Sequence, residues 1–377
     1  MKIVRFDVIT IAIPLLQSVH HHLATRQTAE NILVRAVADT GLTGWGESCP
    51  RSYVSGETIA SVAENLGDVL LPPFVGRPIK QPEDLQKQLL CLLDGLERNQ
   101  HAAFCACELS LLDLAGKAAG QSAGHLVGPV VHDPVRYSGV LASDNPETVR
   151  AQAVFMRDAG IRYVKVKVGS SLEDNRMLLA QVRAVFGPEC SIRVDANCAW
   201  SATDALRQLE ALRPFLLSGV EQPVPSDDIL GMQQITAAGI TPVVADESLC
   251  SYPDAIRLIE HKACHIFNLR VSKCGGLLNT ARIYRKARES GIGCQLGAQV
   301  GETGFLSAAG RHIGARCSDL VWCEGSYGRY LLEQDIVQPD ITIGPGGLAP
   351  AITSPGIGVE ACDRAIGKYT IASFTVA

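Results

Sequence analysis

Six ionisable residues recur through the middle of the chain at nearly constant spacing, each just past a short apolar run. They are Lys167, Asp195, Glu221, Asp246, Lys273 and Glu302, separated by 28, 26, 25, 27 and 29 residues. The apolar runs cover 163–168, 191–194, 220–221, 242–245, 266–269 and 293–296, with helical segments between them. Short strands alternating with helices imply a parallel sheet, and one βα unit of a barrel takes about 30 residues. In a barrel, the residues just past each strand stand on the C-terminal rim, where side chains from different strands converge. The spacing therefore predicts an α/β fold with a (β/α)8-type barrel over residues 134–343 and the six groups gathered into one site.

The flanking segments follow another rhythm. Residues 1 to about 60 read as a β-meander, with Val4–Val8, Ile32–Val37 and Thr43–Glu47 as strands and Asp39-Thr40-Gly41 as a turn. Residues 57–127 read as helical, punctuated by Pro72-Pro73 and Arg77-Pro78. Strands followed by helices suggest an α+β unit over residues 1–133. The Gly- and Pro-rich tail, 344–377, returns to apolar segments that are expected to pack back on this unit.

Composition narrows the partners. A net charge of −5 and the lack of a Lys/Arg-rich run give no reason to expect nucleic acid or an anionic membrane. No charge-free stretch of 18 apolar residues offers a membrane span. The 13 cysteines are odd in number, irregular in spacing and free of CxxC pairs, so neither a disulfide framework nor a zinc site is expected. They read as small buried hydrophobes in a reducing, cytoplasmic setting, with Cys105 and Cys107 on a buried helix.

The residue types suggest chemistry. Asp195, Glu221 and Asp246 offer three carboxylates from three successive strands, which suits Mg²⁺ or Mn²⁺ with positions left for substrate. A substrate carboxylate on that metal would stabilise the enediolate formed when an α-proton is removed. Taken singly, each acid reads equally well as a salt-bridge or helix-cap residue; in register with the repeat, they argue for one site. Lys165 and Lys167 share a strand face while Val164, Val166 and Val168 take the other. Two ammonium groups so close favour loss of one proton, as a base requires. Lys273 stands four units on, across the barrel.

The segments Lys165-Val166-Lys167, Asp195-Ala196-Asn197, Glu221-Gln222-Pro223, Asp246-Glu247-Ser248 and Lys273-Cys274-Gly275-Gly276 resemble, in order and spacing, the motifs of the enolase superfamily, most closely its muconate-lactonising-enzyme subgroup. The resemblance implies a TIM barrel with an α+β capping domain made from the N-terminal part and the C-terminal tail, and a homo-oligomer. It implies Asp195, Glu221 and Asp246 as ligands of Mg²⁺, Lys167 and Lys273 as a facing acid/base pair, and Lys165 as the group that tunes Lys167. Asn197 and Glu247 become supporting groups behind the ligands, and Glu302 the acid at the end of the seventh strand. The mandelate-racemase subgroup has a histidine base after that strand; here Gln295-Leu296-Gly297-Ala298-Gln299 has none, and His312 is expected on a helix.

The implied substrate is a small carboxylate-bearing molecule under two cap loops, residues 16–28 with His20, His21 and His22, and residues 48–57 with Arg51 and Tyr53. Arg51, Tyr53 and His22 are its expected contacts. The Asp-x-Asp pair of dipeptide epimerases is missing after the eighth strand, where Trp322-Cys323-Glu324-Gly325 leaves Glu324 to meet a cationic amine. Three functions follow: a racemase, epimerase or cycloisomerase; a dehydratase (lyase) using the same site on a hydroxy or amino acid; and a non-catalytic acid-binding barrel.

Overall fold

The computed structural model describes residues 1–79, 81–143 and 145–377, without the His21 side chain. Four antiparallel strands form the cap sheet, in the spatial order Thr370–Val376, Ile3–His21, Ala24–Ala38 and Thr43–Ser48. The tail thus returns to the N-terminal unit, pairing Phe6 with Val376 and Val8 with Phe374.

The strand Thr43–Ser48 shows how period-2 geometry joins cap to barrel. Gly44 and Gly46 face the helix His101–Ala119, where a Cβ would meet the Ser110 carbonyl at 2.3 Å and the Ala106 carbonyl at 2.1 Å. Only glycine lets sheet and helix approach that closely. The alternate residues turn the other way: Trp45 stacks on Phe305 of a barrel helix, with centroids 5.6 Å apart. Residues 101–116 of the cap helix are all buried, as expected for a helix apolar on every side.

Eight parallel strands form the barrel in sequential order: Gly139–Leu141, Tyr163–Lys167, Ser191–Asp195, Gly219–Glu221, Val243–Ala245, Ile266–Leu269, Gly293–Leu296 and Leu320–Cys323. The first and eighth meet where the Ser138 N–H donates to the Cys323 carbonyl at 2.7 Å. Long helices cover the first seven strands. After the eighth the chain makes only the four-residue helix Gly328–Leu331 before turning back toward the cap.

Two features differ from expectation. Residues 16–28 are not a loop: pairing continues through Val19↔Arg26, His20↔Thr25 and His21↔Ala24, so the segment is a hairpin arm with its turn at His22 and Leu23. Its polar composition disguised the strands, and the ladder shifts register between Pro14 and Val19, where the proline lacks an N–H. The apolar pattern does not mark the first barrel strand, Gly139–Leu141, and the eighth, Leu320–Cys323, is placed by the family resemblance alone. All 13 cysteines are free and ten are buried. Among the described residues, no helix is long and apolar enough to cross a membrane.

Candidate active site

Strand register assembles the centre of the site. Lys167 pairs with Asp195, and Asp195 with Glu221, on three neighbouring strands. Three groups therefore share one level of the rim, and Asp246 joins them just past the fifth strand. Oxygen atoms of Asp195, Glu221 and Asp246 lie within 4.8 Å of one another, and all three residues are buried.

Cations surround these acids. Lys167 Nζ lies 2.5 Å from Asp195 Oδ2 and donates to Asn197 Oδ1 at 2.7 Å. Lys165 Nζ lies 3.1 Å from Glu221, 3.3 Å from Asp195 and 2.8 Å from Glu324. Burial works against its charge, but the Glu221, Glu324 and Asp195 carboxylates outweigh it and hold the ammonium above the usual lysine range. Burial likewise opposes the Glu221 carboxylate, and Lys165 and Arg270 overcome it, holding that acid well below its ordinary value. The Lys273 ammonium is pushed the other way, below the usual range, chiefly by burial. It touches the Asp246 and Leu249 carbonyls and lies 2.8 Å from Asp246 Oδ1.

Asn197 ties the groups together. Its backbone N–H donates to Asp195 at 3.0 Å and its side-chain amide to Glu247 at 3.1 Å, while its oxygen receives Lys167. Asn197, Cys198 and Gln222 all hold positive φ (44°, 67° and 35°), a concentration of backbone strain beside the reactive groups.

The structure also enlists residues for which the sequence reading had no role. Gln222 accepts the backbone N–H groups of Asp246 and Ser248, fixing the turn that carries the third acid. Asn268 and Gln295 donate to the two Glu221 oxygens at 2.9 and 2.7 Å, and Arg270 pairs with Asp246. A signal existed: Asn268 and Gln295 are polar residues inside apolar strands, opposite each other in register.

A cavity of about 540 Å³ opens beside this centre. Lys165, Lys167, Asn197, Glu247, Arg270 and Glu324 line one end, and Tyr53 with the hairpin residues Gln17 to Val19 contributes from the cap. Two expected substrate contacts, Arg51 and His22, are corrected. Arg51 is 1% exposed, does not line the cavity, and donates to the carbonyls of Glu30, Pro50 and Val300, bridging cap and barrel. His22 sits exposed at the hairpin turn, outside the cavity lining, because the strands pair to its very tip. In the His20, His21 and His22 run, His20 is bonded to Thr25 at 2.9 Å, and the His21 side chain lies outside the described residues. Glu324 reaches the cavity, with its carboxylate paired to Lys165 and Arg193. Glu302 stays apart from the three acids: its carboxylate accepts the Gln299 N–H at 2.7 Å, and burial pushes it up to about 8.

The three acids fit a hard divalent cation. Their donors are all oxygen, with no thiolate or imidazole, the set that Mg²⁺ prefers. Asp246 Oδ1 is buried and, beyond the ion pair with Lys273, accepts no hydrogen bond, which leaves a lone pair available. Fold and site together define a class: a capped (β/α) barrel with an acidic cation site at its rim.

The chain belongs to the enolase superfamily, in the mandelate racemase/muconate lactonizing enzyme family. Residues 4–128 match the N-terminal domain of that family and residues 148–365 the domain described as enolase C-terminal domain-like. The chain is 31% identical over 350 residues to the o-succinylbenzoate synthase of Geobacillus stearothermophilus, covering 92% of this chain and 90% of that protein. Its structure superposes on the N-succinyl Arg/Lys racemase of Bacillus cereus with a TM-score of 0.92 at 26% identity, over all of both chains. The dipeptide epimerase of Cytophaga hutchinsonii, solved with Mg and the dipeptide D-Ala-L-Val, superposes at 0.90 with 25% identity, again over all of both chains.

Proposed function

We propose that this protein removes the proton α to a substrate carboxylate and returns one to the same carbon, acting as a racemase or epimerase. The observation that carries the reading is the meeting of three buried carboxylates with Lys167 of the second strand and Lys273 of the turn after the sixth. Asp195, Glu221 and Asp246 would hold Mg²⁺, which supplies positive charge to the substrate carboxylate as the α-carbon loses its proton. Lys167, in its neutral form, takes the proton from one face, the C–H electron pair moving toward the carboxylate. Lys273, as the ammonium, delivers a proton to the other face; reversing these roles converts the opposite antipode. Asn197 orients Lys167, and Gln222 holds the turn bearing Asp246. A cycloisomerisation would use one of these transfers: a carboxylate of the substrate adds to a C=C bond, the π electrons move to the metal-held carboxylate, and a single lysine protonates the α-carbon.

A second reading is a dehydratase, favoured by the likeness to an o-succinylbenzoate synthase. There one lysine takes the α-proton and a β-hydroxyl leaves as water. Incubation of the Mg²⁺-loaded protein with N-acylamino acids, dipeptides and β-hydroxy acids in D2O separates the readings by NMR. Deuterium at the α-carbon of both stereoisomers supports the isomerase; an unsaturated acid supports the dehydratase. A carboxylate that binds without either change would leave only a non-catalytic acid-binding barrel.

A further inference from the structure

The cavity does not end at the lysines. It continues between the helix Pro146–Asp158 and the segment after the eighth strand, where no long helix covers the barrel. This arm is lined by Val140, Phe155, Met156, Ile161, Tyr330 and Ile343, all without formal charge. The charged side chains of the lining are Lys165, Lys167, Glu247, Arg270 and Glu324, and the arm meets them at Val140, the register partner of Lys165.

Two aromatic rings stand at the arm's mouth. Phe155 is 59% and Tyr330 46% exposed, and their rings meet edge to face with centroids 6.0 Å apart. A large apolar side chain left this open on a barrel helix gains from being covered. Gly139 allows Met156 to sit against the first strand, since a Cβ there would lie 2.5 Å from its sulfur. From the cap hairpin, Gln17 accepts a hydrogen bond from Gln152 at 3.1 Å, roofing the arm with an uncharged pair.

Resting on the α-proton chemistry proposed above, we propose that the arm is the specificity pocket, and that the substrate is a carboxylic acid whose distal substituent is apolar and uncharged, of aryl or medium alkyl size. The total volume suits such a molecule, since pockets of about 300–1,000 Å³ take ligands of this scale. A cationic side chain would find no acid among the residues of the arm, since the acids of the lining, Glu247 and Glu324, stand with the lysines.

Binding tests this without turnover. Calorimetry of the Mg²⁺-loaded full chain with straight-chain carboxylates from acetate to octanoate, and with 4-phenylbutanoate, reads the arm directly. Affinity is expected to rise about fourfold per methylene once the chain passes the lysines. Phe155→Ala and Tyr330→Ala, at half-exposed positions where the fold is insensitive, should weaken 4-phenylbutanoate about tenfold and leave acetate unchanged. Flat affinity along the series, equal loss for acetate in the variants, or no binding of any member overturns the proposal. The α-proton exchange assay fails independently: a chain-length gradient without exchange supports the arm and removes the isomerase, while exchange without a gradient does the reverse.

Discussion

The Glu108 carboxylate accepts the backbone N–H of Leu277 at 2.5 Å, across the boundary between cap helix and barrel. It also accepts the Leu278 N–H at 3.2 Å, so a cap residue closes the N-terminus of the helix Gly276–Glu289, which begins three residues after Lys273. A Cβ on Gly276 would lie 2.1 Å from a Glu108 oxygen, and its φ of 89° favours glycine independently. Glu47 does the same for the helix Gly304–Arg316, accepting from Thr303 and Leu306. Both strand-to-helix turns on that side of the rim therefore depend on the cap.

This arrangement has a pH signature. Burial pushes the Glu108 carboxyl up to about 8, against the pull of the two N–H groups, from an ordinary value of 4.5. The folded protein therefore keeps a proton that the unfolded chain releases. The stability this contributes is complete below about pH 4.5 and is lost as pH rises to about 8, on the order of a few kcal/mol. Melting temperature should fall across that window, and Glu108→Gln should reduce the slope, the remainder belonging to Glu302 and Glu47, which burial raises in the same direction. An unaltered slope in the variant would assign the effect to another group.

Metal removal should abolish turnover, and Mg²⁺ or Mn²⁺ should restore it. Glu221→Gln removes a negative charge while its amide keeps one acceptor for Asn268 or Gln295, so metal affinity should drop by at least tenfold. Titration calorimetry and circular dichroism together check that affinity falls while the fold persists. Full turnover in excess chelator, with metal content verified by elemental analysis, contradicts the assignment.

The two lysines should divide the stereochemistry. Lys167→Ala should stop α-proton exchange of one substrate antipode and Lys273→Ala that of the other, each by about a hundredfold or more. NMR in D2O reads both antipodes separately. A single variant that still exchanges both refutes the two-base arrangement.

Arg51 and Tyr53 should behave differently although they are close in sequence. Arg51→Ala removes a buried guanidinium and leaves the Glu30, Pro50 and Val300 carbonyls without this donor, a loss of about 2–4 kcal/mol. Its melting temperature should drop with substrate preference unchanged. Tyr53 lines the cavity and meets Arg26 at 3.4 Å through its hydroxyl. Tyr53→Ala should raise KM with a smaller effect on kcat. The opposite pattern would place Arg51 at the substrate.

The centre of the site was legible because a barrel is a repeat: any polar group recurring once per βα unit just past a strand arrives at the same rim. Lys167, Asp195, Glu221, Asp246 and Lys273 follow from that periodicity, and the cap's GWGE strand carries its two faces openly in Gly44, Trp45, Gly46 and Glu47. The surroundings were not legible. The hairpin over residues 16–28 pairs locally, but its polar composition hides the strands; that Arg51 turns to the Val300 carbonyl and that Glu324 is taken by Lys165 and Arg193 depend on partners 131 to 249 residues away. So does the apolar arm, made by Phe155 and Tyr330 from segments 175 residues apart in sequence. Local pattern determines where a strand ends and which residue stands there; only the closed chain decides which neighbour an ionised or exposed side chain finds, because that is set by distance and dielectric in the folded interior.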